Sequence, residues 1–237
     1  MRQALLTPMF LRCLVAVVAF GVSVAGAQNQ TLTPNTLPAM ATAQLTRSLQ
    51  ASVRHTRHVW RDTPPRHADG TVNAYIEISR GDRRKWELDM GANKRAIDRV
   101  IPENVGGYPV NYGFVPQTVS FDGDPFDALV LGPPIKGGET VRGIIVGLMY
   151  MEDEKGLDSK VVLSRPAPDG RPLHDLTTSD QQRIADYFRR YKEHEAGAYS
   201  KVPGWGSVEE GTALLMRTHV FFLNCREHSG QPCTVGQ

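Results

Sequence analysis

Three aspartates lie close together in the middle of the chain, at Asp122, Asp124 and Asp127. Residues 118–121 and 128–131 on either side are β-branched or apolar, which is typical of buried strands. Carboxylates at this spacing repel one another and raise each other's pKa unless a cation neutralises them. In an extended backbone Asp122 and Asp124 face the same way, and the proline between Asp124 and Asp127 can bend the chain back toward them. The motif therefore predicts a site for a hard divalent metal ion.

Two other interpretations compete with a metal site at this motif. Asp-Gly and Gly-Asp pairs are common turn signals, so the motif alone would also suit an acidic surface turn. A calcium loop of the EF-hand kind does not fit, because the sixth position from Asp122 is Asp127 rather than Gly and the twelfth is Pro133 rather than Glu. The choice between a metal site and a turn therefore depends on the other charged residues.

Acidic residues elsewhere in the chain are interleaved with lysine, arginine and tyrosine. Carboxylates alone would suit metal storage, whereas cations and phenols can bind oxygens that a metal leaves unsatisfied. Taken singly, Glu77 and Lys85 would suit a cross-strand ion pair, and the tyrosines would suit a core. Together they predict a site for a metal-bound polyanion. The residues are Glu77, Lys85, Glu87, Arg99, Tyr108, Tyr112, Asp153, Asp158, Lys160, Tyr191 and Lys192.

In these motifs the chain resembles the family I soluble inorganic pyrophosphatases. Residues 122–127 match the family signature Asp-x-Asp-Pro-x-Asp. The segment Tyr-Pro-Val-Asn-Tyr-Gly at 108–113 and the spacing of Asp153, Asp158 and Lys160 are also similar to the family pattern. The similarity covers about residues 74–205 and includes dispersed positions, which one short motif matched by chance does not produce. Residues 28–70 and 224–237 have no counterpart in the family pattern.

The resemblance implies a role for each matching residue. Asp124 would be the general base in Mg²⁺-dependent hydrolysis of pyrophosphate to two phosphates, by direct attack of a hydroxide that bridges two metal ions. Mn²⁺ is an alternative metal. The metal ligands would be Asp122, Asp127, Asp153 and Asp158, with Glu77 and Glu87 acting through metal-bound water. The phosphoryl oxygens would be held by Lys85, Arg99, Tyr112, Lys160, Tyr191 and Lys192, with Tyr108 supporting the site.

Two other functions would suit the same fold. A catalytically silent metal-binding or polyanion-binding protein would lack the base or a metal ligand, and neither is missing here. A nucleic-acid-binding module would need exposed aromatic platforms and a cationic groove, whereas this set of residues is rich in carboxylates. We therefore expect pyrophosphate as the substrate and no nucleic-acid partner. Bacterial members of the family are often hexamers, so the resemblance also implies a homo-oligomer.

The N-terminus has the pattern of a secretory signal peptide, which we predict over residues 1–27. Arg2 and Arg12 precede an apolar run at 13–24, and Ala-Gly-Ala at 25–27 supplies a cleavage pattern before Gln28. The continuous apolar run disfavours an organelle transit peptide. Because the run is shorter than the roughly 20 residues of a membrane-spanning helix, we predict no transmembrane anchor. We expect export to the periplasm or secretion.

Composition indicates a globular chain whose length does not require two domains. The chain has 237 residues, 41% of them hydrophobic and 22% charged, which is enough for one large core. Its formal net charge of +2 is too small to indicate a nucleic-acid binder. Removal of residues 1–27 would make the chain formally neutral. It would also leave Cys225 and Cys233, an even number that suits a disulfide in an oxidising compartment.

Strands are predicted before helices, in an α+β order. Short strands are expected at 72–78, 85–89, 96–100, 140–151 and 160–163, and helices at 179–195 and from a capping box at 207–210 onward. Many short strands indicate an antiparallel barrel or sandwich, and the resemblance implies a small closed antiparallel OB-like β-barrel with flanking helices.

The domain limits follow from these elements. We place the pyrophosphatase domain at 71–224 and a C-terminal tail at 225–237. Residues 28–70 are predicted to be a linker that includes a basic amphipathic helix at 41–59. Its His55 and His58 are expected to be solvated.

Overall fold

The computed structural model describes residues 37–227, so the predicted signal peptide lies outside the described part of the chain. The helices are α1 Ala39–Ser52, α2 Val59–Asp62, α3 Thr178–Arg190 and α4 Val208–Glu227. The strands are β1 Val72–Ile78, β2 Arg84–Asp89, β3 Lys94–Val100, β4 Asn111–Phe114, β5 Asp127–Val130, β6 Thr140–Asp153, β7 Gly156–Leu157, β8 Lys160–Ser164 and β9 Ser200–Gly206. Among the helices described, none is both long and apolar enough to span a bilayer.

Seven strands form one mixed sheet. Strand β1 pairs with β4 and with β6, and the pairings continue from β4 through β5 and β8 to β6. The pairings thus run in a circuit through five strands, and β7 and β9 are added along β6. Strands β5 and β8 are parallel. The prediction of a purely antiparallel sheet is therefore wrong, because the chain leaves β5, passes along β6 and returns to β8 in the original direction.

The strands differ in burial, and the difference distinguishes those of the core from those near the predicted site. Every residue of β1 and of β8 is buried; β1 contains one valine and two isoleucines, and β8 contains two valines and a leucine. Strands β2 and β3 form a separate hairpin, most of which is partly or fully exposed. Leu88 is the buried residue of β2. The hairpin therefore projects from the core and carries charged side chains into the region of the predicted site.

An aromatic cluster packs α3 against the sheet. The ring centroids of Tyr108 and Tyr187 are 5.1 Å apart, and those of Phe188 and Tyr191 are 5.3 Å apart. Helix α3 begins with a capping box at Thr177. It ends at Arg190, so Tyr191 and Lys192 follow the helix rather than lying within it as predicted. The packing of α3 fixes where these two residues lie.

Two further predictions about the elements are wrong. Residues 118–121 are buried but form no strand, since Thr118 bonds through its side chain. Its Oγ1 donates to the carbonyl of Val115 at 2.6 Å and accepts from the N–H of Phe126 at 2.9 Å. The predicted order of strands followed by helices within residues 71–224 is also wrong, because β9 lies between α3 and α4.

The helix predicted at 41–59 is present but ends early, at Ser52. It buries Leu45 and Leu49, whereas Val53 is exposed. The prediction that His58 is solvated is wrong. The His58 ring is buried with Nε2 3.0 Å from the carbonyl oxygen of Met90, and burial lowers its pKa. The segment before β1 is therefore packed on the body of the protein.

Helix α4 begins with the capping box that the sequence predicts. The N–H of Glu210 donates to Ser207 Oγ at 3.2 Å, and the N–H of Ser207 donates to Glu210 Oε2 at 2.7 Å. The helix continues to Glu227, and Cys225 within it is buried and disulfide-bonded. The partner cysteine lies outside the described residues, so the pairing with Cys233 stays a prediction.

Candidate active site

A cavity of about 240 Å³ lies beside the aspartate motif. It brings together side chains from β1, the β2–β3 hairpin, β4, the aspartate loop, the β6–β7 turn and the end of α3. Lys160 is not part of its lining but contacts two carboxylates that are. The predicted residues that line the cavity are Glu77, Lys85, Glu87, Arg99, Tyr108, Tyr112, Asp122, Asp124, Asp127, Asp153, Asp158, Tyr191 and Lys192.

The aspartate loop is a tight turn in which glycine is needed. Gly123 has a φ of +92°, which favours glycine over residues with a Cβ. The N–H of Asp124 donates to Asp122 Oδ1 at 3.1 Å, and its carbonyl accepts from the N–H of Ser120 at 2.7 Å. These bonds close the turn, Asp122 and Asp124 both line the cavity, and Asp127 follows at the start of β5.

Burial and mutual repulsion raise the pKa values of the loop carboxylates. The pKa of Asp122 is raised to about 7, first by burial and then by Asp124 and Asp127. The pKa of Asp124 is also raised by burial, although Lys155 opposes the shift. Asp124 Oδ2 lies 3.8 Å from Lys155 Nζ, and no ion pair to Asp122 is found among the residues described. The loop is therefore short of positive charge, as the sequence predicts for a cation site.

Lys160 neutralises the other side of the carboxylate group. Its Nζ donates to Asp127 Oδ2 at 2.5 Å and to Asp158 Oδ1 at 2.8 Å. The Tyr112 hydroxyl also donates to Asp127 Oδ2, at 2.5 Å. Burial lowers the pKa of Lys160, but the two carboxylates outweigh burial and raise it overall. Lys160 is thus a buried ammonium group, outside the cavity lining, that holds the carboxylates of Asp127 and Asp158 in place.

The β2–β3 hairpin supplies a wall of paired charges. Lys85 contacts Glu87 and lies 3.3 Å from Asp98 Oδ2. Arg99 Nη1 donates to Asp98 Oδ2 at 2.9 Å, and Arg99 Nε lies 2.9 Å from Glu195 Oε1 without hydrogen-bond geometry. An anionic ligand would therefore have to compete with carboxylates for Lys85 and for Arg99 Nη1, whereas Arg99 Nε and Nη2 are buried without a hydrogen-bond partner among the residues described.

Glu77 joins the hairpin to the sheet. Its Oε1 accepts the N–H of Leu88 at 2.6 Å, and Arg95 donates to its backbone carbonyl. The carboxyl group is buried, and burial raises its pKa well above the usual value despite the bond from Leu88. Glu77 therefore has a positioning contact in addition to lining the cavity.

The β6–β7 turn and the end of α3 close the remaining side. Lys192 Nζ donates to Asp153 Oδ2 at 2.7 Å and to Glu154 Oε1 at 2.8 Å. Asp153 Oδ1 accepts the N–H of Lys155 at 2.8 Å, which fixes the turn. Tyr191 lies beside Lys192, with the ammonium group 5.7 Å from the centre of its ring. Lys192 is thus held by two carboxylates at the cavity edge.

Several lining residues were not predicted from the sequence. Glu154 and Lys155 lie in the turn between β6 and β7, directly after the predicted ligand Asp153. Glu195 lies within the predicted helix at 179–195 and showed no sign of a site. Gln44 and Ser48 belong to α1, whose amphipathic pattern indicates only packing. The five residues line the cavity together with the predicted set.

The donor atoms fit a hard divalent cation. Within residues 37–227, no three or more His, Cys, Asp or Glu side chains stand close enough to form a ready-made metal cage. The carboxylates are instead separated by lysines, as Asp127 and Asp158 are by Lys160. Mg²⁺ does not require an all-protein cage, because it keeps several waters and needs one or two carboxylates. The oxygen-only donors and the raised pKa of Asp122 both suit such an ion.

The sequence is similar to inorganic pyrophosphatases. The inorganic pyrophosphatase family model matches residues 74–222, which include every predicted site residue. The inorganic pyrophosphatase of Thermus thermophilus is 40% identical over 162 residues, covering 63% of this chain and 91% of the relative. That of Sulfolobus acidocaldarius is 36% identical over 155 residues, covering 62% and 89%.

Solved structures agree with the sequence relatives. The crystal structure of the Thermus thermophilus inorganic pyrophosphatase has a TM-score of 0.64 and 33% identity, covering 70% of this chain and 99% of that one. A structure of an inorganic pyrophosphatase from Coxiella burnetii has a TM-score of 0.62 and 34% identity, covering 68% and 99%. With this fold and this family match, the chain belongs to the inorganic pyrophosphatase family.

Proposed function

We propose that this protein hydrolyses inorganic pyrophosphate to two phosphates with the help of bound Mg²⁺, for which Mn²⁺ can substitute. The observation that carries the proposal is the cavity itself. Carboxylates, lysines, an arginine and tyrosines that are distant in sequence line one space beside the aspartate loop. Pyrophosphate needs both kinds of group, since carboxylates hold the cations and basic side chains hold the phosphoryl oxygens.

The metal ligands in this proposal are Asp122, Asp127, Asp153 and Asp158, with Glu77 and Glu87 acting through water. Bound Mg²⁺ would neutralise phosphate charge and make an attacking water more acidic. The short supply of positive charge around Asp122 supports this assignment. Lys160 would remain between Asp127 and Asp158 and offset their negative charge. Burial nevertheless raises the pKa of Asp158 well above its usual value, which a bound cation would counter.

The protein's own groups would move one proton and hold two phosphoryl groups. Asp124 is the base: its carboxylate takes a proton from water as the water oxygen forms a bond to one phosphorus. The bond from that phosphorus to the bridging oxygen breaks, and the second phosphate leaves with the bridging oxygen. The charge on the oxygens would be met by the cavity-lining groups Lys85, Arg99, Tyr112, Tyr191 and Lys192, with Tyr108 packed behind them. Lys160, which lies between Asp127 and Asp158, would act on the substrate only through these two carboxylates.

The basic groups must exchange partners when substrate arrives. Lys85 and Arg99 are paired with Glu87, Asp98 and Glu195 in the protein alone. Pyrophosphate carries more charge than one carboxylate, so it would replace these contacts with charge-assisted bonds of its own. We therefore propose that the carboxylate contacts keep Lys85 and Arg99 of the β2–β3 hairpin beside the cavity, where an anion can bind them.

Phosphate release from pyrophosphate tests the proposal directly. The purified protein should release phosphate in Mg²⁺, and a chelator should abolish the release. Asp124→Asn should lose at least about 100-fold in rate, as expected for removal of a general base. Asp169→Asn is the matched control, because Asp169 lies in an exposed turn and pairs with Arg171. Metal and pyrophosphate binding without hydrolysis would instead indicate the silent binding protein.

The sheet, the assembly and the cellular location complete the proposal. We propose that the circuit of five strands is the closed OB-like barrel of the family, and that the protein forms a homo-oligomer. Export to the periplasm or secretion is supported by the sequence of residues 1–27 and by the disulfide at Cys225, since disulfides persist in oxidising compartments. Fractionation of cells that produce the full chain would test the location, and light scattering of the purified protein would test the assembly.

A further inference from the structure

Helix α1 contributes to the cavity although it lies outside the part of the chain that matches the family. The family match begins at residue 74, and α1 spans Ala39–Ser52. Gln44 and Ser48 of α1 nevertheless line the same cavity as the aspartate motif. The wall of the site next to the aspartate loop is therefore formed by a segment that the family match does not include.

The contact between α1 and the aspartate loop is a close backbone approach. A Cβ placed on Gly123 would lie 2.7 Å from Gln44 Cβ, 2.8 Å from the Ala41 carbonyl oxygen and 2.9 Å from Ala41 Cα. Real Cβ atoms do not approach other heavy atoms so closely. The absence of a side chain at Gly123 thus lets α1 pack directly against the turn between Asp122 and Asp124.

Helix α1 is also fixed at its far end. Arg61 Nη1 donates to the carbonyl of Ser52 at 2.7 Å, which holds the end of the helix. His55 Nε2 lies 2.7 Å from the carbonyl oxygen of Gly91, at the tip of the β2–β3 hairpin. Trp60 Nε1 donates to the carbonyl of Thr118 at 3.0 Å. The segment is therefore anchored both to the hairpin and to the chain that leads into the aspartate loop.

The two side chains of α1 bring neutral polar groups to the cavity. Gln44 Oε1 accepts from Arg47 Nη2 at 2.7 Å, which leaves the Gln44 amide nitrogen as the donor. Ser48 is buried, and among the residues described its hydroxyl makes no hydrogen bond within the protein. Neither group carries charge, so neither can replace a metal ligand or a phosphate-binding cation. Their contribution is to the shape of the wall and to hydrogen bonding.

We propose that α1 is a wall that selects substrates by length, with Gln44 as the residue that blocks a third phosphoryl group. The inference rests on the proposed hydrolysis of pyrophosphate. A wall anchored at both ends cannot move aside at low cost, so the Gln44 side chain limits the room beside Asp122 and Asp124. On this inference, two phosphoryl groups occupy the space between the carboxylates and the basic residues, and the third group of a linear triphosphate would meet the wall that Gln44 forms.

The experiment compares phosphate release from pyrophosphate and from tripolyphosphate in the full chain with Mg²⁺. Gln44→Ala removes the side chain beyond Cβ and should raise the ratio of the tripolyphosphate rate to the pyrophosphate rate by roughly tenfold, the usual scale of discrimination by one side chain in a pocket. Gln44→Met keeps the volume and removes the amide, so its ratio should stay within about twofold of the unchanged protein.

The matched control is Gln50→Ala, because Gln50 lies on the same helix and is exposed outside this cavity. An unchanged ratio in Gln44→Ala, with pyrophosphate still hydrolysed, would overturn the inference and leave the proposed function standing. An equal rise in Gln44→Met would also overturn it, since volume would not be the cause. If the unchanged protein hydrolysed neither compound, both the proposed function and the inference would be wrong.

Discussion

Replacing Lys160 by methionine should destabilise the metal-free protein strongly. The change keeps a long side chain but removes an ammonium group that is 2.5 Å from Asp127 Oδ2 and 2.8 Å from Asp158 Oδ1. The Lys160 side chain is 1% exposed, so water cannot replace the lost contacts. Removing one partner of a buried ion pair typically costs about 3–5 kcal/mol. That is a large fraction of the roughly 5–15 kcal/mol that stabilises a typical domain.

Bound Mg²⁺ should restore part of the unfolding free energy that Lys160→Met loses. In Lys160→Met the two carboxylates face each other without a cation, so a bound divalent ion would relieve more repulsion than in the unchanged protein. A ligand at 100 times its Kd stabilises the folded state by about 2.7 kcal/mol. We therefore expect the difference in unfolding free energy between variant and unchanged protein to be larger in chelator than in saturating Mg²⁺.

Urea unfolding followed by circular dichroism, in chelator and in Mg²⁺, measures both effects. Lys201→Met is the control, because Lys201 is exposed and its loss should change stability by less than about 0.5 kcal/mol. A loss below about 1 kcal/mol for Lys160→Met in chelator would refute the assignment of Lys160 as the buried counter-ion. Equal stabilisation of both proteins by Mg²⁺ would refute the placement of the metal ligands around it.

Four other predictions concern the pH dependence of the site and two of its residues. The raised pKa of Asp122, about 7, means that metal must displace a proton, so Mg²⁺ affinity measured by calorimetry should weaken as pH falls below 7. The same shift should make the metal-free protein lose stability as pH rises from about 4 to 7, since the folded state binds the extra proton. Gly123→Ala should lower both stability and the pyrophosphate rate, because φ is +92° and α1 blocks the new methyl group. Tyr112→Phe should cost about 1.5–3 kcal/mol in urea unfolding, since it removes a donor to Asp127.

The predictions on Mg²⁺ affinity, Gly123→Ala and Tyr112→Phe each have a control or a contrary result, and a metal-free protein whose stability is the same at pH 4 and pH 7 would contradict the raised pKa of Asp122. Mg²⁺ affinity that stays constant between pH 5 and pH 8 would contradict the proton competition at Asp122. Gly156→Ala is the comparison for Gly123→Ala, because Gly156 also has a positive φ but has no atom near its Cβ position. A matching loss of activity in both would show that backbone strain, not α1, is responsible. Tyr199→Phe, at an exposed tyrosine, should change stability by less than about 1 kcal/mol.

The residues of the site could be predicted because their chemistry is unusual for a fold core. Asp122, Asp124 and Asp127 next to apolar residues require a cation, and Lys160 and Lys192 supply charges that a simple metal store would not need. The sequence pattern also predicted the capping box at Ser207, which is confirmed. Local rules suffice for such features, since each depends on a few neighbouring residues.

Long-range pairings could not be predicted in the same way. Residues 118–121 have the composition of a strand, but the Thr118 side chain bonds to the backbone instead. The parallel pairing of β5 with β8 depends on the path of the chain through β6, which no local pattern records. His58 was expected to be solvated because the hairpin loop that covers it, at Met90, is distant in sequence. Tertiary contacts therefore decided each of these positions.

The anchoring of α1 has a consequence for the order of folding. The segment that follows α1 contacts the other end of the chain, where the rings of Trp60 and Phe222 are 5.1 Å apart. The N-terminal segment is synthesised first, but the surface that receives it is completed last, when α4 is present. Contacts between such distant residues form slowly, because a long loop must close. Recovery of activity during refolding should therefore follow the burial of Trp60. The docking of α2 on α4 would then set the time at which the enzyme becomes active.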